Sequence, residues 1–342
     1  MRVESLVSIV VVPHERFSYA GRSLESIYER TQFPFTLVYV DAGSPSRTRA
    51  YLEAKARQKG FRLIRTDHYL SPNQARNLGV RQVSSEYIVF IENDVLVEPG
   101  WLDALVRCAE ETGAWLVGPL YLIGSPEHRI IHMAGGSVHI KEQRGKRILY
   151  ERKRFPDTPL DDAPVPLQRE RCGLVEFHCM LARTEVFQRL GPLDEGLLSV
   201  REHQDLCLAV QEAGGPIFVE PNAVVTMVPP PPLAWSDFPY YMLRWSDAWA
   251  ASSLRHFHEK WNLDEERHEP HTAWTGRRYR FLTQFRVLQR MKELVIGRRQ
   301  APLLRPAFLF IMESVLTPML QMQREARRKR SVKRSRQSGY SS

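Results

Sequence analysis

The chain has 342 residues, 43% apolar and 25% charged, enough to bury a full core, which excludes a small disulfide scaffold and a disordered polymer. Its formal net charge of +9 sits at one end: residues 277–300 and 324–336 each carry +7, leaving −5 for residues 1–276. The basicity is therefore a tail property, and with no nucleic-acid motif beside it no nucleic-acid partner is expected.

In chain order, Ser5 to Phe17 (SLVSIVVVPHERF) opens with a short apolar run that reads as a buried strand. Leu24, Ile27 and Tyr28 then mark one face of a helix. A second strand-like run, Phe35 to Pro45 (FTLVYVDAGSP), ends in turn-forming residues and is followed by SRTRAYLEAKARQ, which has helical composition. A further apolar run, Tyr87 to Val97 (YIVFIENDVLV), breaks into the acidic cluster Glu92, Asn93 and Asp94. Strands alternating with helices predict an α/β fold with a doubly wound sheet, whose site gathers beyond the carboxyl ends of the strands. Those ends are Pro13 to Arg16, Asp41 with Gly43, and Glu92 to Asp94. Carboxylate oxygens there suit Mg²⁺ or Mn²⁺ held jointly with substrate phosphates, the competing use being simple capping of the next helix. No G-x-G-x-x-G follows the first strand, which disfavours a dinucleotide-binding dehydrogenase.

Five ordered blocks carry a resemblance: VSIVVVPHERF, VYVDAGS, SPNQARNLGVRQVSSEYIVFIENDVLVEPGWLDALV, VEFHCMLARTEVFQRLGPLDE and REHQDLCLAVQEAGGPIFVEP. Together, over roughly residues 5 to 225, they resemble the inverting family 2 glycosyltransferases of GT-A fold. The resemblance implies a Rossmann-like mixed sheet and transfer of a sugar from a nucleotide-sugar donor, UDP-linked by default, to a hydroxyl of a saccharide or lipid-linked acceptor. It implies that Asp41 accepts a hydrogen bond from the nucleotide base and that Pro13 and Glu15 floor the nucleoside pocket. Arg76 and Asn77 fall in the segment flanking ribose and diphosphate, with Asn93 inside the D-x-D-like cluster. Glu92 and Asp94 match the two acids of the D-x-D motif, Asp94 as metal ligand, with Glu92 one methylene longer than the usual Asp. A divalent cation, Mn²⁺ or Mg²⁺, would stabilise charge developing on the departing phosphate.

The family's general base is usually the Asp of a Glu-Asp pair opening a helix. Here Glu202 fits the Glu and His203 replaces the Asp, so both remain eligible, with Glu202 favoured as base and His203 assisting or contacting the acceptor. These departures also keep open a non-catalytic nucleotide-sugar-binding relative. Where many relatives place a later metal-binding His, this chain reads PNAVVTMVPPPP with Thr226. His178 is expected in packing or on the acceptor side, and His128, His132 and His139 in a polar loop without ligand spacing.

Three segments are expected: a catalytic domain over residues 1–235, packed helices over 236–300, and an amphipathic, basic tail over 301–342. Within the first, residues 124–172 read as an irregular loop region, and Phe238 to Leu263 as one helix. Cys108, Cys172, Cys179 and Cys207 form no C-x-x-C pair and read as reduced core residues of a cytoplasmic protein. No signal or spanning segment is read, so membrane contact is expected only peripherally, through the tail on an anionic surface.

Overall fold

The computed structural model describes residues 5–164, 166–229, 234–264 and 322. Most of the basic tail, the amphipathic stretch and Pro230 to Pro232 lie outside the described residues.

The chain runs β1 (Val7–Val12), α1 (Ala20–Arg30), β2 (Phe35–Ala42), α2 (Ser46–Lys59), β3 (Arg62–Thr66), α3 (Pro72–Val80), β4 (Tyr87–Glu92), β5 (Val95–Val97), α4 (Trp101–Thr112) and β6 (Leu116–Ile123). It continues through β7 (Ile130–Met133), β8 (Gly136–Gln143), β9 (Lys146–Lys153), β10 (Thr158–Pro159), β11 (Glu170–Cys172), β12 (Cys179–Arg183), α5 (Glu185–Leu190), α6 (Glu202–Glu212), β13 (Ile217–Met227), α7 (Phe238–Arg244) and α8 (Asp247–Trp261).

The main sheet has the order β10-β7-β6-β12-β4-β1-β2-β3, with β13 pairing β6, β5 and β11. Strands β3, β2, β1 and β4 run parallel, whereas β12 enters antiparallel between β4 and β6. All six residues of β1 and all six of β4 are buried. Their unbroken apolar runs are what a strand covered on both faces requires. From β1 the chain steps outward to β2 and β3, then returns to β4 on the other side of β1. The crevice beyond the ends of β1 and β4 is thus the topological switch point where α/β sheets bind ligands. Helix α3 closes on this seam through Gly79, where an added Cβ would lie 2.2 Å from a methyl of Val10.

Two expectations change. Residues 124–172 are largely paired strand: β8 and β9 form a register-matched hairpin joined by Arg144 and Gly145, both at positive φ as a two-residue primed turn demands. The single helix expected from Phe238 to Leu263 is two, α7 and α8, divided at Trp245 and Ser246. The Ser246 side chain caps α8 by accepting from the Trp249 amide at 3.2 Å, a more favourable role for Ser than a mid-helix position. All four cysteines are free thiols, three of them buried. Among the described residues, no helix is long and apolar enough to cross a membrane.

Candidate active site

The loop leaving β1 and the acidic cluster leaving β4 are stitched together by Asn93. Its side chain accepts from the His14 amide at 3.1 Å and donates to the Arg16 carbonyl at 2.9 Å. Asn93 is thereby a scaffold for the site. The stitching drives the His14 imidazole between the two acids, its Nδ1 3.2 Å from Asp94 and 3.4 Å from Glu92. Burial alone would lower the His14 pKa, but the charges of Glu92 and Asp94 outweigh it and raise it to about 9. His14 therefore stands as an imidazolium at neutral pH. Glu92, buried, also accepts from Arg76 at 3.0 Å and faces His178 Nδ1 at 2.5 Å. Burial would raise its pKa, yet the charges of His14, His178 and Arg76 hold it far below the usual carboxylate range.

Arg76 is 1% exposed, so it is no solvated helix charge. It bonds Asn73 at 3.1 Å and lies 3.8 Å above the Phe177 ring, and burial lowers its pKa. Asn77 turns elsewhere: its side chain clamps both backbone groups of Leu193 and reaches Glu195. It secures the loop before α6. Asp41 is buried, with Oδ1 accepting from the Ser44 amide at 2.9 Å and Oδ2 engaged by the Ser44 hydroxyl and Arg65. It is at once the turn former before Gly43 and half of an ion pair at the end of β2. Pro13 lies over α7, its carbonyl accepting from the Tyr240 hydroxyl at 3.3 Å, and Glu15 sits beside His14 and Asp94 in a ligand-compatible group.

At the start of α6, Glu202 is buried and its Oε1 lies 3.2 Å from Arg244 Nη2 of α7. Arg244 also donates to the carbonyl and hydroxyl of Ser199. His203 points the other way, its Nε2 3.5 Å from Glu176. Burial lowers its pKa, leaving the ring neutral at pH 7.

Glu176, just before β12, is a centre the sequence did not disclose. Its carboxylate receives Lys153 of β9 at 2.6 Å and His132 of β7 at 2.8 Å, with His178 Nε2 at 3.5 Å. Burial would raise its pKa, but His132 and Lys153 hold it well below the ordinary value. His132, on β7, and His178, directly before β12, thus converge on one carboxylate, so His132 is no loop residue. Residues missed by sequence reasoning, His14, Glu176, Arg65 and Arg244, share one trait: each has at least one charged partner distant in sequence. The only local cue was that His14 and Glu176 flank apolar strands.

Three ligand-compatible groups occur among the described residues: His14, Glu92 and His178; His14, Glu15 and Asp94; and His132, Glu176 and His178. In each, one donor atom per residue lies within 4.8 Å of the others.

Residues 8–169 match the family model described as Glycosyl transferase family 2. An uncharacterized protein of Sinorhizobium fredii is 28% identical over 61% of this chain and 23% of its own length. The O-antigen biosynthesis protein RfbC of Myxococcus xanthus is 30% identical over 55% of this chain and 14% of its own length. The chain thus spans less than a quarter of either relative. Among solved structures, GalNAc-T7 with UDP, GalNAc and Mn²⁺ superposes with a TM-score of 0.52 at 17% identity, over 77% of this chain and 55% of that one. The mannosyltransferase PcManGT from Pyrobaculum calidifontis, in complex with GDP-Man and Mn²⁺, gives 0.50 at 14% identity, over 94% of this chain and 85% of that one. These likenesses establish the fold.

Proposed function

We propose, from the match of residues 8–169 to the family 2 glycosyltransferase model and the GT-A fold, that the protein is a metal-dependent inverting glycosyltransferase using a nucleotide-sugar donor. The observation that carries this reading is the meeting of His14, Glu92 and Asp94 at the switch point, within 3.4 Å of one another's polar atoms through His14. Two carboxylates and an imidazole are a donor set that suits Mn²⁺. Asp94 with His14 and Glu92 or Glu15 would hold the cation, which supplies charge neutralisation to the departing diphosphate. The nucleoside end of the donor lies toward Asp41, Ser44 and Arg65, the polar corner at the end of β2. Arg76 fixes Glu92 in place from beneath.

The acceptor hydroxyl approaches the anomeric carbon from the α6 side, where Glu202 takes its proton as the new C–O bond forms and the bond to diphosphate breaks. Attack opposite the leaving group inverts the anomeric configuration. Arg244 positions the Glu202 carboxylate and keeps it from being an isolated buried charge. The acceptor is a saccharide or lipid-linked hydroxyl, and the default donor nucleotide is UDP.

A second reading, nucleotide-sugar binding without transfer, is favoured by His203 in the place of an Asp and by the Arg244 contact to Glu202. A thermal-shift panel of UDP-, GDP-, dTDP- and CMP-sugars with and without Mn²⁺ tests the proposal, since a ligand at a hundred times its Kd adds about 2.7 kcal/mol of stability. A Mn²⁺-dependent shift with one nucleotide class is expected, and release of free nucleoside diphosphate from that donor separates transfer from binding. No shift with any donor would overturn both readings.

A further inference from the structure

We propose that Glu176, with His132, His178 and His203, forms a second cation site, for a transition-metal ion of the zinc class, and that Lys153 is its built-in competitor. The reading does not depend on the donor-side assignment. The two regions share only His178, whose Nδ1 faces Glu92 and whose Nε2 faces Glu176.

Three imidazole Nε2 atoms, from β7, from the residue before β12 and from α6, converge on one buried carboxylate. His132 lies 2.8 Å from Oε2, and His178 and His203 lie 3.5 Å from Oε2 and Oε1. Into this convergence β9 inserts the Lys153 ammonium, 2.6 Å from Glu176 Oε1 and 2.9 Å from His132 Nε2. These contacts conflict. If His132 Nε2 carries a proton, it can donate to Glu176 but opposes the Lys153 N–H. If Nε2 is bare, it accepts from Lys153 but turns its lone pair on the Glu176 oxygen. No tautomer of His132 satisfies both neighbours. Independently, the Nε2 of His203 is sealed from solvent and has no hydrogen-bond partner, an uncommon state for a buried ring nitrogen.

A cation standing among these atoms resolves both defects, because it takes lone pairs from the carboxylate and from every bare Nε2 at once. Imidazole nitrogen with one carboxylate is the donor chemistry of zinc and its neighbours. Burial lowers the pKa of His132 and His203, so both are neutral and ready to ligate at pH 7. Lys153 comes from the hairpin and its side chain is 27% exposed. It can withdraw to solvent when an ion enters, whereas the Glu176 carboxylate, 3% exposed, cannot.

The test uses the full-length protein carrying His14→Gln and Asp94→Asn, stripped with chelator, because every donor-side ligand group includes His14 or Asp94. Calorimetric titration with Zn²⁺ and absorption titration with Co²⁺ should each give one site, with Co²⁺ displaced by Zn²⁺. Lys153→Met should tighten Zn²⁺ at least about tenfold, because the competing cation is gone. His132→Ala and Glu176→Gln should each weaken it at least a hundredfold. His132→Ala retains the buried Glu176–Lys153 pair and keeps the test decisive should Glu176→Gln not fold. Unchanged Zn²⁺ affinity in Lys153→Met or in His132→Ala would overturn the site, as would Co²⁺ spectra without nitrogen ligation. Neither result bears on nucleotide-sugar binding, which is read in the protein with Asp94 intact.

Discussion

Replacing Glu202 by Gln separates its two duties. The side chain is 5% exposed and its Oε1 is 3.2 Å from Arg244. Gln keeps the volume and an acceptor oxygen but loses the charge. Arg244 retains its contacts to Ser199, so the stability cost is that of one weakened, charge-assisted hydrogen bond, about 1–3 kcal/mol. An amide cannot accept the acceptor's proton. A base contributes about 10² to 10⁴ in rate, and a hundredfold loss is about 2.7 kcal/mol on the barrier. The expected profile is kcat down at least a hundredfold with donor KM nearly unchanged, because the base acts in the transition state. Arg244→Met provides the contrast: it leaves Glu202 buried without its cation, so its unfolding free energy should fall by about 3–5 kcal/mol. Urea unfolding of both variants, beside steady-state turnover of the donor selected by the thermal panel, measures the two axes independently. Selective loss of kcat in His203→Ala, with Glu202→Gln turning over normally, would refute the assignment and hand the role to His203.

Asp94→Asn should sharply weaken Mn²⁺-dependent binding of the nucleotide diphosphate without unfolding the protein, and undiminished wild-type turnover in excess chelator would contradict the metal requirement. Asp194 ties α8 to the loop before α6 by accepting from His256 at 2.9 Å and Lys260 at 3.0 Å. Burial would raise its pKa, but these partners hold it below the ordinary Asp value. A depressed folded value gives stability that is complete above the unfolded carboxylate pKa and lost as pH falls through the folded one. Acid melts of wild type should therefore lose stability in the window below pH ~4 more steeply than melts of Asp194→Asn, and parallel curves would contradict the clamp. The two +7 blocks of residues 277–300 and 324–336 should carry full-length protein down with anionic liposomes and release it in high salt. Equal partitioning after truncation beyond Leu263 would rule out an anchor.

What was legible in the sequence followed from period and burial. β1, β2 and β4 could be read because a strand covered on both faces must be continuously apolar, and the acids after β4 could be placed because such a strand ends at the ligand crevice. The β8–β9 hairpin escapes a reading by period because its strands are rich in Lys, Glu, Gln and Arg, of which Lys153 and Glu151 face inward, and β9 runs Ile148-Leu149-Tyr150 without alternation. The turn residue Arg144 also takes a positive φ more often adopted by Asn or Gly. The break between α7 and α8 was hidden because Ser246 reads equally as a tolerated helix residue and as a cap.

The site was half legible for a different reason. Asp41, Glu92, Asp94 and Glu202 stand at element ends, but their partners reside elsewhere: His14 is 80 residues from Asp94, Arg244 42 from Glu202, and His132 44 from Glu176. Linear spacing carries no record of such pairs. Four buried acids of the crevice share one rule: Glu92 has Arg76, Asp94 has His14, Glu176 has Lys153 and Glu202 has Arg244. Four carboxylates in a desolvated crevice could not remain ionised without these cations. On the proposed reading, cation binding at this end of the sheet is an exchange of charge for charge. A metal entering beside Asp94 meets the His14 imidazolium, one entering beside Glu176 meets the Lys153 ammonium, and in each case affinity is set by how readily the resident cation yields. His14 can yield by losing a proton to solvent, whereas Lys153 must move, so cation binding on the donor side should depend on pH and that on the Glu176 side on the hairpin.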